Sequence, residues 1–151
     1  MKEAGRKDPR NRIVLEMWGL PENVAVDRFC VASFASQLNF GLGEVEEIKV
    51  AVSEAVSNAV IHAYQGAPGP VKVSAEIRGD VLEVEVEDLG RGIEDVALAR
   101  QPSFSTDPER MGLGFVFMES FMDRVEVDST PGGGTRIRMV KRSPEGAEVS
   151  V

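Results

Sequence analysis

Glu54, Asn58 and His62 stand four residues apart in a segment, about Glu44 to Tyr64, that carries Val45, Ile48, Val52, Ala55, Ala59 and Ala63 at helical spacing. At about 100° per residue the three polar positions form one stripe, with Glu54 and Asn58 off the main apolar face. Such a stripe is ordinarily a solvated helix surface. Here Val50 and Ile61 share its side, its residues are mixed in type, and His62 is the single histidine of the chain. A carboxylate one turn before a carboxamide suits a site in which one oxygen takes a proton and another ligates a hard cation.

Asp88 breaks a second local rule. It follows Leu82, Val84 and Val86 with the same parity, so its carboxylate is expected on the core side of a strand. Buried without donors, that group costs about 1–3 kcal/mol or more. It either caps the turn beyond the strand or awaits a donor carried by a ligand. Gly90 and Gly92, in Asp88-Leu89-Gly90-Arg91-Gly92, remove side chains where a flat ring could approach. Gly112-Leu113-Gly114 precedes an apolar stretch. Alone the pattern marks no more than a helix entry, but beside a helix N-terminus freed N–H groups make a phosphate site. Arg110, just ahead of it, could pair with a terminal phosphate. Thr135 shares the inward parity of Ile137 and Met139, where a buried hydroxyl needs a partner and neighbouring backbone could supply it.

The elements that must hold these residues follow from pattern. Ile13–Trp18 is expected as a strand ended by Gly19-Leu20-Pro21. Val26, Cys30, Phe34 and Leu38 recur every fourth residue through a first helix that starts at Pro21-Glu22-Asn23. Gly41 and Gly43 separate it from the long helix, which Gln65 to Pro70 stops. Val71, Val73, Ala75 and Ile77 alternate with polar residues, Gly79-Asp80 has hairpin-turn composition, and Leu82, Val84 and Val86 alternate again. After an irregular stretch from Asp88 to about Arg110 come a short helix, Phe115–Met122, and a strand pair, Val125–Ser129 and Thr135–Val140. This order predicts an α+β two-layer sandwich, with a mixed, mostly antiparallel sheet and helices on one face.

The 151 residues suit one domain, 13–142, between polar tails at 1–12 and 143–151. The net charge of −8 argues against a nucleic-acid partner, which selects for a basic face. No apolar run approaches the ~20 residues of a membrane span and no signal peptide opens the chain, so a cytoplasmic protein is expected. Cys30 has no partner for an internal disulfide and suits a small packing residue better than a nucleophile.

Taken in order, the Glu54–His62 stretch, Asp88-x-Gly-x-Gly92, Gly112-x-Gly114 and Gly134-Thr135 resemble the boxes of the Bergerat ATP-binding fold. That fold is shared by the GHKL superfamily of gyrase, chaperone, histidine-kinase and mismatch-repair ATPases. VSEAVSNAVIHAY, ARQPSFST, ERMGLGF and FMESFMD narrow the resemblance to the sporulation anti-sigma-F family of serine kinases. It extends from about Ile13 to Lys141. Ala63 departs from the glycine of the family pattern, and the segment between Phe104 and Gly112 is shorter than the family's lid.

The resemblance implies a homodimer that binds ATP or ADP with Mg2+ and phosphorylates a serine on an anti-anti-sigma factor. In its other state it sequesters a sigma factor of the sigma-F type, with no direct nucleic-acid or membrane partner. Glu54 would be the general base on the serine hydroxyl and Asn58 the magnesium ligand. Asp88 would read the adenine amino group, with Gly90, Gly92 and Ile93 shaping the ring's floor and His62 and Thr135 also in contact with the nucleotide. Arg110, Gly112, Leu113 and Gly114 would surround the phosphates beneath Ser103–Glu109, and Arg28 would meet protein partners. A stress-response kinase of the same family is an alternative. So is an ATP-gated sigma-binding module without phosphoryl transfer, although such a module needs no base at Glu54. A sensor histidine kinase would need a phosphoacceptor hairpin that residues 1–12 are too short to supply.

Overall fold

The computed structural model describes residues 10–64, 67–90, 92, 96–100 and 111–144. The elements run β1 (Asn11–Trp18), α1 (Pro21–Ala35), α2 (Leu42–Asn58), a π-helical turn (Ala59–Ala63), β2 (Pro70–Arg78), β3 (Val81–Asp88), α3 (Val96–Ala99), α4 (Met111–Phe121), β4 (Arg124–Thr130) and β5 (Gly134–Arg142). The sheet has strand order β1-β2-β3-β5-β4, and each of its four pairings is antiparallel, so among the described residues the sheet is antiparallel and not mixed.

Alternation explains the two layers. Val71, Val73, Ala75 and Ile77 on β2, Leu82, Val84 and Val86 on β3, and Ile137 and Met139 on β5 all face inward. Against them pack Val31 and Phe34 of α1, Ile48, Val52 and Ala55 of α2, and Phe115 and Met118 of α4. The outer face is polar and laced with ion pairs across strands, among them Arg12–Glu76 at 2.8 Å, Arg138–Glu83 at 3.1 Å and Arg138–Glu126 at 3.0 Å. Pairs of this kind contribute a few tenths of a kcal/mol to ~1 kcal/mol each and mainly fix register. Lys141, buried on β5, donates to the carbonyl of Phe121 at 2.6 Å and lies 3.5 Å from Glu47. It ties the C-terminal end of α4 to α2, as a cation at a helix C-terminus should.

Four expectations need correction. β1 begins at Asn11, two residues into the expected tail, because Arg10, Asn11 and Arg12 still pair with the end of β2. The buried positions of α1 are Asp27, Val31, Ala32, Phe34 and Ala35, whereas Val26 is exposed and Cys30 half-buried. The face is thus set one residue away from the row of every fourth residue, and α1 ends before Leu38. The long helix starts at Leu42 and changes to a π turn after Asn58, which breaks the regular register of the stripe before His62. Finally, α4 begins at Met111, so Gly112 and Gly114 lie inside its first turn and not ahead of it.

Candidate functional site

Glu54 and Asn58 are one turn apart on α2, both half-buried, and α4 crosses beside them. Their contact with α4 is made at Gly114, where a Cβ would fall 3.0 Å from Glu54 Oε1 and 3.7 Å from Asn58 Oδ1. A glycine there lets the first turn of α4 approach both oxygens. The first four N–H groups of a helix have no intrahelical acceptor. In α4 these belong to Met111, Gly112, Leu113 and Gly114. A carboxylate, a carboxamide oxygen and a cluster of backbone donors therefore meet at one place. Asn58 Nδ2 is buried and has no hydrogen-bond partner among the described residues.

The second part of the site is the end of β3. Asp88 is buried with its backbone in register with Val71 of β2 and Thr135 of β5. Its Oδ1 accepts from the N–H of Gly90 at 2.9 Å, so the carboxylate caps the turn beyond the strand and retains further acceptor capacity. Burial pushes the Asp88 carboxyl above its ordinary value; the N–H groups of Gly90 and Thr135 oppose that rise, and the charge of Glu87 adds to it. Thr135, also buried, exchanges a hydrogen bond with Ser129 Oγ at 2.8 Å. An open pocket of about 190 Å³ lies here, lined by Asp88, Ser129, Thr130, Gly134 and Thr135 and reaching Glu87 and Arg136. Gly92 lies against the backbone of Thr130 and Gly90 against the carbonyl of Ala63. The latter contact joins the π turn at the end of α2 to the Asp88 turn. Ala63 is thus accommodated, in place of the family's glycine, by the absence of a side chain at Gly90.

Residues 17–141 match the model of the histidine kinase-like ATPase domain. The anti-sigma F factor of Pasteuria penetrans is 47% identical over 146 residues, 94% of this chain and 97% of that protein. That of Bacillus subtilis (strain 168) is 45% identical over 135 residues, 87% of this chain and 92% of that protein. The chain belongs to the anti-sigma F factor family. Its fold is also that of solved histidine kinase domains. The catalytic domain of ThkA superposes with a TM-score of 0.56 at 18% identity, covering 87% of this chain and 99% of that one. A histidine kinase domain from Erythrobacter litoralis gives 0.54 at 21% identity, covering 79% and 60%.

In this member of the anti-sigma F family the residues present fit a nucleotide and a hard cation. Asn58 Oδ1 is an oxygen of the type a hard cation takes and lies near the first turn of α4, and Asp88 keeps acceptor capacity beside an open pocket. Ile93, Arg110 and the Ser103–Glu109 segment lie outside the described residues, as does the side chain of His62. Leu113 is half-buried in the first turn of α4. Arg28 stands apart from the cleft on α1. It donates to Ser53 Oγ of α2 at 3.1 Å and lies 5.2 Å from the ring centre of exposed Phe29, over which Lys49 also sits. No helix among the described residues is long and apolar enough to cross a membrane.

Two residues escaped sequence reasoning. Tyr64 bonds the turn that follows Asp88. Asp27 is fully buried, and neither carboxylate oxygen has a hydrogen-bond partner among the described residues. The signal for Asp27 was available: it precedes Val31 by four and Phe34 by seven, the spacing of one helix face.

Proposed function

We propose that the chain is an anti-sigma factor and protein serine kinase, binding Mg-ATP between α2, α4 and the end of β3. In this reading it holds a sigma factor of the sigma-F type and phosphorylates a serine of an anti-anti-sigma factor. The observation that carries the kinase reading is the approach of Glu54 Oε1 to the first turn of α4. A carboxylate is itself favourable at a helix N-terminus, but there it competes with a phosphate for the same N–H groups. General-base catalysis gives this carboxylate a role beside bound phosphate: Glu54 takes the proton of the serine hydroxyl as that oxygen attacks the γ-phosphorus and ADP leaves. The N–H groups at the start of α4 hold phosphate oxygens. Asn58 would hold the magnesium ion, whose charge offsets that of the phosphates. Incubation with labelled ATP and a candidate anti-anti-sigma protein should yield phosphoserine on that protein. ATP-dependent sigma binding with no phosphoserine would favour the pure binding module.

Adenine recognition is assigned to Asp88. Asp88→Asn replaces one acceptor oxygen with a donor facing the six-amino group. Losing a hydrogen bond to a charged group costs about 1.5–3 kcal/mol, or roughly 10- to 100-fold in ATP affinity. GTP, with an acceptor at that position, should bind the wild type poorly. Equal ATP and GTP affinities by calorimetry would remove Asp88 from this role.

Arg28 and Phe29 are assigned to the partner surface, as a cation beside an exposed aromatic ring on α1. Arg28→Glu should lower the sigma association rate at low salt by roughly tenfold or more, while ATP affinity stays unchanged, because it reverses a steering charge away from the cleft. Sigma association traces that overlay those of the wild type would make Arg28 a bystander.

A further inference from the structure

We infer that Tyr64 is a positioning residue for base recognition, its phenol fixing the Asp88–Gly90 turn against the end of α2. The inference rests on the assignment of Asp88 as the adenine reader.

Tyr64 closes the π turn, with φ −114° and ψ −2°. Its hydroxyl donates to the carbonyl of Pro70 at 2.6 Å and accepts from the N–H of Leu89 at 2.8 Å. Leu89 is the middle residue of the turn. The next N–H, that of Gly90, is taken by Asp88 Oδ1. Each N–H of the turn therefore has its own acceptor, and that of Leu89 does not compete for the carboxylate that must face the base. Leu89 is 70% exposed, so its own side chain does not anchor the turn. The phenol takes that part.

The ring is itself held. It lies flat on Gly69, where any side chain would run into it, and the carbonyl of Gly69 accepts from Gly19 N–H at 2.7 Å. Burial raises the phenol above its ordinary value; the Leu89 N–H opposes the rise, and the charge of Asp88 adds to it. The hydroxyl therefore keeps its proton for Pro70 while its oxygen receives Leu89. The π turn contributes by placing Ala63 against Gly90 and Tyr64 above Leu89 at once. Single π turns inserted in α-helices recur at functional sites. Through this contact the helix bearing Glu54 and Asn58 fixes the far wall of the cleft.

The test is Tyr64→Phe in the full chain, with ADP and GDP affinities measured by calorimetry beside the melting temperature. Phenylalanine keeps the ring over Gly69 and removes both hydrogen bonds. ADP affinity should fall about fivefold to tenfold, as for loss of one or two neutral hydrogen bonds, with GDP affinity unchanged. In an Asp88→Asn background the same change should cause no further loss, because Tyr64 acts through Asp88. Tyr64→Leu serves as a second variant, with the same loss of base discrimination and a lower melting temperature. Equal losses for ADP and GDP, or no loss for either, would overturn the inference. If Asp88→Asn abolishes discrimination while Tyr64→Phe preserves it, only the role of Tyr64 fails. If Asp88→Asn itself preserves discrimination, the adenine assignment fails.

Discussion

Glu54→Gln should reduce phosphorylation of the anti-anti-sigma partner by at least about 100-fold, the lower end of what a positioned general base contributes. Glutamine preserves the shape of the side chain and one oxygen against Gly114, but its amide is not basic enough to take a hydroxyl proton. The defect should appear in kcat, since the proton moves in the transition state and not on binding. ATP affinity should hold or rise slightly, because a negative charge beside the phosphate-binding turn of α4 is removed. Sigma sequestration with ATP should persist, since it requires the nucleotide-bound surface and no proton transfer. Three assays on one variant therefore separate the alternatives. A solvated helix carboxylate would leave all three unchanged, and a structural one would lower all three together. Full kinase activity in the variant would falsify the general-base assignment.

The parts of this fold that were legible in the sequence are those where one physical demand dominates. β2 and β3 each have one face in the core, so Val71 to Ile77 and Leu82 to Val86 had to alternate, and Gly79 at φ 62° had to turn between them. Glu54, Asn58, Asp88 and Thr135 were legible because each is a polar group where pattern places an apolar or indifferent one. What was hidden is where two demands share a residue. Asn11 and Arg12 are polar because β1 is an edge strand, and so resembled a tail. Gly112 and Gly114 cost about 1 kcal/mol each inside a helix and therefore resembled a turn, yet close approach to Glu54 and Asn58 keeps Gly114 there. The π turn left no trace because Ala59 to Ala63 are all compatible with an α-helix. Tyr64 looked like a packing residue at a helix end, and nothing local announces that its hydroxyl meets Leu89, 25 residues on. In α1 the small buried residues Ala32 and Ala35 give a weaker apolar signal than exposed Val26, and an aspartate is not a residue type that marks a buried face.

That aspartate carries the second large expected effect. Asp27 is fully buried, and burial pushes its carboxyl from 3.8 to about 7. No cation or hydrogen-bond donor among the described residues opposes the rise, so the ionised form lacks compensation where α1 packs on α2. Between those two values the folded protein holds a proton that the unfolded chain has released. Stability therefore falls as pH rises through this window, opposite to the common case of a salt-bridged carboxylate, and is level again above about 7. At about 1.36 kcal/mol per unit the full shift would be ~4 kcal/mol; relaxation and water entry reduce this to roughly 2–4 kcal/mol. Asp27→Asn keeps the shape and cannot ionise. Near pH 4, close to the unfolded value, it should match the wild type within about 1 kcal/mol, since the aspartate is then largely neutral in both the folded and the unfolded chain. At pH 8.5 it should be the more stable protein by about 2–4 kcal/mol by urea unfolding. The other carboxylates, and the net charge of −8, act on both proteins alike and cancel in the difference. Parallel stability curves for the two proteins from pH 4 to 8.5 would show that Asp27 is not held neutral by its burial. A gap that opens with pH would show that it is, and would make the α1–α2 contact, where Arg28 meets Ser53 one residue before Glu54, weakest in alkali.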